Sequence, residues 1–230
     1  MTIRRLLVVF AMSLAALVCP IQAQVPPTPA EQRAYHGLHK AAAEGNLVLL
    51  NAALSSGADA NSRDSRGRTP FHVAAYNRQT AVMRVLAARG ADVNALEFQA
   101  YDAVTIAAVS DDVEVLKGAL ALGNKATNIT SPYRGTALIA AAHLGHEETV
   151  RQLIEAGAPL NHVNDLGWTA LIEAVILGDG KLRHQNTVAH LLRAGADKSI
   201  TDLSGKTPLD HASERGYSEI IALLSQQNTN

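Results

Sequence analysis

The densest run of chemically capable side chains lies between Gly178 and Val188, where Asp179, Lys181, Arg183, His184 and Gln185 fall within seven positions. The comparable stretch from Gly145 to Val150 is five residues shorter, so this run is an insertion. Gly178 and Gly180 permit backbone angles closed to other residues. Amides at a helix start, joined by a guanidinium and an imidazole, suit a carboxylate or a phosphate, so a small anionic ligand is one reading. The other is an enlarged connector in which Asp179 or His184 caps a helix. Glu173, in the alanine-rich stretch upstream, is placed to pair with Arg183 or His184 across the insertion.

Acid–base chemistry from Asp179, His184 and Glu173 lacks a nucleophile, and no HExxH pattern, phosphate-binding loop or nucleophile elbow occurs. His143 and His146 are three apart, but Gly145 ends a helix between them and breaks any shared ligand face. The single cysteine, Cys19, excludes an intrachain disulfide and a thiolate metal centre. The chain is therefore expected to be no enzyme and to carry no catalytic residue, metal or cofactor.

Two offset signatures organise the elements that carry these residues. Gly57-Ala58-Asp59-Ala60-Asn61 returns as Gly90-Ala91-Asp92-Val93-Asn94, and more loosely at Gly123, Gly157 and Gly195, at intervals of 33, 33, 34 and 38 residues. Between them run Thr69-Pro70-Phe71-His72, Thr136-Ala137-Leu138, Thr169-Ala170-Leu171 and Thr207-Pro208-Leu209-Asp210. A threonine hydroxyl caps a helix start, and a following proline occupies a position whose amide has no partner in any case. Alanine pairs such as Ala74-Ala75 and Ala141-Ala142 give small faces for close helix contact. Gly45, Gly145, Gly178 and Gly216 end the first helix of their units. Second helices follow with apolar residues at helical spacing, as in Val82, Val85 and Leu86.

A period near 33 with a Thr-Pro-Leu-His signature resembles the ankyrin repeat, from about Arg33 to Leu224. The resemblance implies an all-α solenoid of about six helix-turn-helix repeats joined by hairpin-like loops, spanning approximately 33–65, 66–98, 99–131, 132–165, 166–203 and 204–225. It also implies a protein partner on a concave face built from loop tips and first-helix ends. Mapped here, those positions include Tyr76, Asn77, His143, Leu144, Ile176 and Leu177, with Trp168 just before its helix cap. Together with Glu173, Asp179, Arg183, His184 and Gln185 they make up the candidate binding residues. His72 and His39 fall at the family's structural histidine position. The third repeat departs from the pattern, with Asp102 at the helix opening and Asp111 where glycine is usual. Phe98 and Tyr101 there read either as drift or as a local aromatic contact surface.

Formal net charge is −1, without the basic excess of a nucleic-acid binder. Arg4 and Arg5 precede a 13-residue apolar run from Leu6 to Val18, and small Ala23 stands before Gln24. That is the layout of a secretory leader, residues 1–23, followed by a proline-rich extended spacer over 24–32. The mature chain is expected in the periplasm or outside the cell, without a membrane span. Lipidation at Cys19 is a lesser alternative because Val18 sits where a lipobox needs a small residue. Residues 226–230 are a polar tail.

Overall fold

Among the described residues, oxygen-bearing side chains open eight helices: Asn46 and Asp112 start two second helices of the repeats, and six others start helices elsewhere in the chain. Thr28, Thr69, Asp102, Thr136, Thr169 and Thr207 each accept a hydrogen bond from the amide three residues on. Each removes one orphan donor from a helix start. The computed structural model describes residues 24–226. The expected leader with Cys19 lies outside the described residues, as does the tail beyond Gln226.

α1 spans Pro29–Ala34. The first helices of the repeats are α2 (Gly37–Glu44), α4 (Pro70–Tyr76), α6 (Ala103–Val109), α8 (Ala137–Leu144), α10 (Ala170–Ile176) and α12 (Pro208–Arg215). Their partners are α3 (Leu47–Ser55), α5 (Thr80–Ala88), α7 (Val113–Ala121), α9 (Glu147–Glu155), α11 (Leu182–Arg193) and α13 (Ser218–Ser225). First helices stack on first helices and second on second, giving two helical layers, with loops turned back as fingers between units. The molecule is an all-α ankyrin-type solenoid. Among the described residues, extended pairing is limited to the bridge between Thr130 and Gly135.

The core lies between the layers and repeats with the sequence. Leu50, Met83, Leu116, Val150 and Val188 hold equivalent places in successive second helices, and all are fully buried, as is Ile220 in the last one. Ala41-Ala42, Ala74-Ala75, Ala107-Ala108 and Ala141-Ala142 line the facing side of the first helices. Each large apolar side chain contributes about 1.5–3 kcal/mol by leaving water, and each depends on the adjacent unit for half its cover.

Four expectations need correction. Pro29 does not continue an extended spacer: Thr28 and Glu31 form a reciprocal capping box that starts α1. Gly178 does not end its helix in the left-handed region, since α10 stops at Ile176 with Leu177 as cap. Glycine is needed there for room, because a Cβ would stand 2.1 Å from the Ala174 carbonyl oxygen. By contrast Gly145 does close α8 with φ 65°. The insertion is only partly a loop, because α11 runs 12 residues where α9 runs 9. Finally, Phe98 and Tyr101 form no joint patch: Phe98 is 72% exposed, whereas Tyr101 is buried.

The third repeat is rebuilt around its unusual residue. Asp102 is fully buried; one oxygen caps Thr105, and the other accepts from the side-chain amides of Asn124 and Asn128, each at 2.9 Å. Asp111 adopts φ 55° without being glycine, and its carboxylate accepts from the Thr149 hydroxyl at 2.9 Å.

Candidate functional site

Four finger residues hold the loops that frame the concave side. Asp64 accepts from the amides of Arg66 and Arg68, and Glu97 from those of Gln99 and Tyr101. Asn164 accepts from Leu166 and Trp168, and Asp202 from Ser204 and Lys206. In three of these the second polar atom turns inward. Asp64 Oδ2 accepts from the Tyr35 hydroxyl at 2.7 Å, Asn164 Nδ2 donates to Glu173 at 2.8 Å, and Asp202 Oδ2 lies 2.9 Å from His211 Nε2. Sequence reasoning missed these anchors, although three of them stand three residues before a glycine, as Asp64, Asn164 and Asp202 do. Burial opposes the Asp202 charge, but the Ser204 hydroxyl, the Lys206 amide and His211 outweigh it and bring its pKa down to about 2.

The floor of the wall is the row of first-helix ends. Tyr76, Val109, Ile176 and Leu177 are half-buried there, Leu144 is exposed, and His143 is half-buried. Burial, with the Glu97 charge nearby, pushes the Tyr76 hydroxyl pKa well up, so it remains a neutral hydrogen-bonding group. Asn77 turns its amide back onto the Val73 carbonyl at 2.8 Å and finishes α4. Trp168 is half-buried directly before the Thr169 cap.

Glu173 is buried, and its carboxylate meets Asn164 and, at 3.4 Å, His143 Nδ1. It does not brace the insertion, as the sequence suggested. Arg183 and His184 point the other way, to the end of α8. Arg183 Nε donates to the Gly145 carbonyl at 3.2 Å, and His184 Nε2 to that of His143 at 3.0 Å. The last carbonyls of a helix have no partner within it and sit at the negative end of its dipole, which explains the attraction. His184 Nδ1 lies 2.9 Å from Asp179, while its ring packs onto Gly145 and Gly178. Gln185 returns its amide to the Gly180 carbonyl at 2.8 Å, and the Tyr217 hydroxyl donates to the Gly178 carbonyl at 3.0 Å. The guanidinium and imidazole expected to receive an anion therefore hold backbone carbonyls of the preceding repeat, and Tyr217 ties the insertion to the following one.

Other histidines do similar work. His72 Nε2 donates to the Tyr101 carbonyl at 3.1 Å, and burial drives the ring pKa down to about 4. His39, His146 and His162 reach the carbonyls of Arg68, Ala108 and Arg134. His39, His72 and His146 each link one repeat to the next, whereas the His162 contact lies within the fourth repeat. Among the described residues no group of three or more His, Cys, Asp or Glu side chains converges to hold a metal. No described helix is long and apolar enough to cross a membrane.

The stacked helix pairs, capped fingers and carbonyl-binding histidines define an ankyrin-repeat protein. A family model described as ankyrin repeats (3 copies) matches residues 38–127 and 104–202, and the chain belongs to that family. It is 34% identical over 185 residues to the putative ankyrin repeat protein YahD of Escherichia coli K12, covering 80% of this chain and 92% of that one. The ankyrin repeat domain of Acinetobacter baumannii AYE is 44% identical with a TM-score of 0.76, over 81% of this chain and 95% of the other. The ankyrin repeat protein EF0377 is 34% identical with a TM-score of 0.78, over 84% and 100%. Other curated relatives are longer, and this chain spans 30% of one and 22% of another.

Proposed function

We propose that the protein is an exported, non-catalytic scaffold that holds a protein partner against its concave wall. One observation carries this reading. Tyr76, Val109, Ile176 and Leu177 form a row of only half-covered apolar side chains along successive first-helix ends, interrupted by the polar His143–Glu173 pair. Such an arrangement offers a partner aromatic and aliphatic contacts with one fixed polar group, mounted on a rigid stack. Export is supported by the leader layout of residues 1–23, and the partner would accordingly belong to the cell envelope.

Capture from an envelope extract on immobilised protein tests the reading. Ile176→Asp and Tyr76→Ala each reduce recovery of one defined protein by about tenfold or more, as loss of a central contact does. Equal recovery by wild type and both variants refutes it. Export is checked separately, by sequencing the N-terminus of the protein from the envelope fraction.

A further inference from the structure

The residue before each helix cap is equivalent from repeat to repeat: Arg68, Tyr101, Trp168 and Lys206. Trp168 and Lys206 are partly open to solvent, but Arg68 is 1% exposed, and the chain's own N-terminal stretch contributes to its cover. Arg68 Nη1 donates to the Val25 carbonyl at 3.4 Å, and Nη2 lies 3.1 Å from Glu31. Glu31 also holds Arg66 at 2.7 Å. Between the two contacts, Pro27 is buried, and Gln32 donates to its carbonyl at 3.0 Å. Glu31 and Arg68 also border a cleft of about 530 Å³, lined in part by Tyr35, Leu38, His39, Arg63 and Asp64.

This cover is fastened differently from the repeats. α1 has six residues and buries none of them, whereas α2 buries Leu38, Ala41 and Ala42. A helix that short is not stable by itself, and the Arg66–Glu31 pair, open to water on the arginine side, holds weakly. Segments with few apolar contacts open far more often than a core unfolds. Arg68 has a second hold outside residues 24–34: Asp64 meets its Nε at 2.7 Å and accepts from the Tyr35 hydroxyl.

We propose that residues 24–34 are a strap that closes the N-terminal end of the concave wall by imitating a partner: an irregular stretch gives Arg68 the Val25 carbonyl, and the first turn of α1 gives it the Glu31 carboxylate. Opening the strap exposes a seat for an acidic, proline-containing peptide. The proposal rests on the concave-wall reading but extends it to a stated ligand chemistry and to self-competition. A tethered segment acts at an effective concentration of about millimolar, so the closed strap excludes weaker free peptides.

The test uses the full chain and a fluorescent synthetic peptide of residues 24–34. Glu31→Arg reverses the charge facing Arg66 and Arg68 and releases the strap. The peptide binds this variant saturably and the wild type at least about tenfold more weakly, and a peptide with Glu31→Gln loses about tenfold on the variant. Equal binding to both proteins, binding to neither, or equal binding of the two peptides overturns the proposal. Hydrogen exchange on the unaltered chain is an independent readout that no folding defect can confuse. Amides of Gln32 to Ala34 exchange well ahead of those in α4, and matching protection would make the segment a permanent part of the core. Neither measurement needs the envelope partner, so failure here is distinct from failure of partner capture.

Discussion

Replacing Gly178 with alanine tests whether the repeat-five insertion is a packed connector. The added Cβ would meet the Ala174 carbonyl oxygen at 2.1 Å and His184 Cδ2 at 2.7 Å, and the first of these is backbone that cannot step aside. Relief requires the end of α10 to unwind or the His184 ring to leave its place between Gly145 and Gly178. Overpacking of this kind costs about 1–3 kcal/mol. Disturbing the Tyr217 or His184 hydrogen bond adds about 1 kcal/mol. The expected loss is about 2–4 kcal/mol, measured by urea denaturation with Trp168, the only tryptophan, as the probe. Gly157→Ala is the control. Its φ is 80° and a Cβ there meets nothing within 4 Å, so its cost is backbone strain alone, about 1–2 kcal/mol. A Gly178→Ala protein no less stable than Gly157→Ala refutes the packing argument.

Asp102→Ala removes a helix cap and the acceptor of the buried Asn124 amide and the half-buried Asn128 amide, for an expected loss of about 2–3 kcal/mol by the same denaturation assay; a change below about 0.5 kcal/mol contradicts its role in the third repeat. Asp202 carries a pKa lowered from 3.8 to about 2, so its stabilising contribution is complete above pH 3.8 and disappears as pH falls toward 2. Asp202→Asn therefore flattens the acid limb of a thermal-melt series over that window, by about 2 kcal/mol, and an unchanged slope speaks against the finger network. Millimolar phosphate leaves the melting temperature unchanged, because Arg183 and His184 already hold carbonyls, and a shift abolished by Arg183→Ala would restore the anion reading.

The fold was legible because two kinds of residue repeat in phase. The cap threonines and loop glycines mark where helices start and stop, and the buried series from Leu50 to Val188 follows the same interval. The start of α1 has the same spelling, Thr28-Pro29 with Glu31 against Thr69-Pro70 with His72, but Pro26, Pro27 and Pro29 together also spell an extended chain. The site was less readable, for a geometric reason. Spacing identifies Arg183 and His184 as inserted, yet their partners are carbonyls of His143 and Gly145, about forty residues earlier, and a carbonyl has no spelling. Glu173 was conspicuous as a charge in an alanine-rich helix, but its direction depends on the stack, which sets it toward Asn164 and His143. Tyr101 looked like a finger-tip aromatic and proved buried.

Site-specific photocrosslinking in living cells tests the concave wall most directly. A crosslinker placed in turn at Tyr76, His143 and Ile176 yields one common protein adduct, while the same group at Lys117 or Glu155, exposed on second helices, yields none. Adducts confined to the second-helix positions, or no adduct from any first-helix end, contradict the assignment of that wall as the binding face.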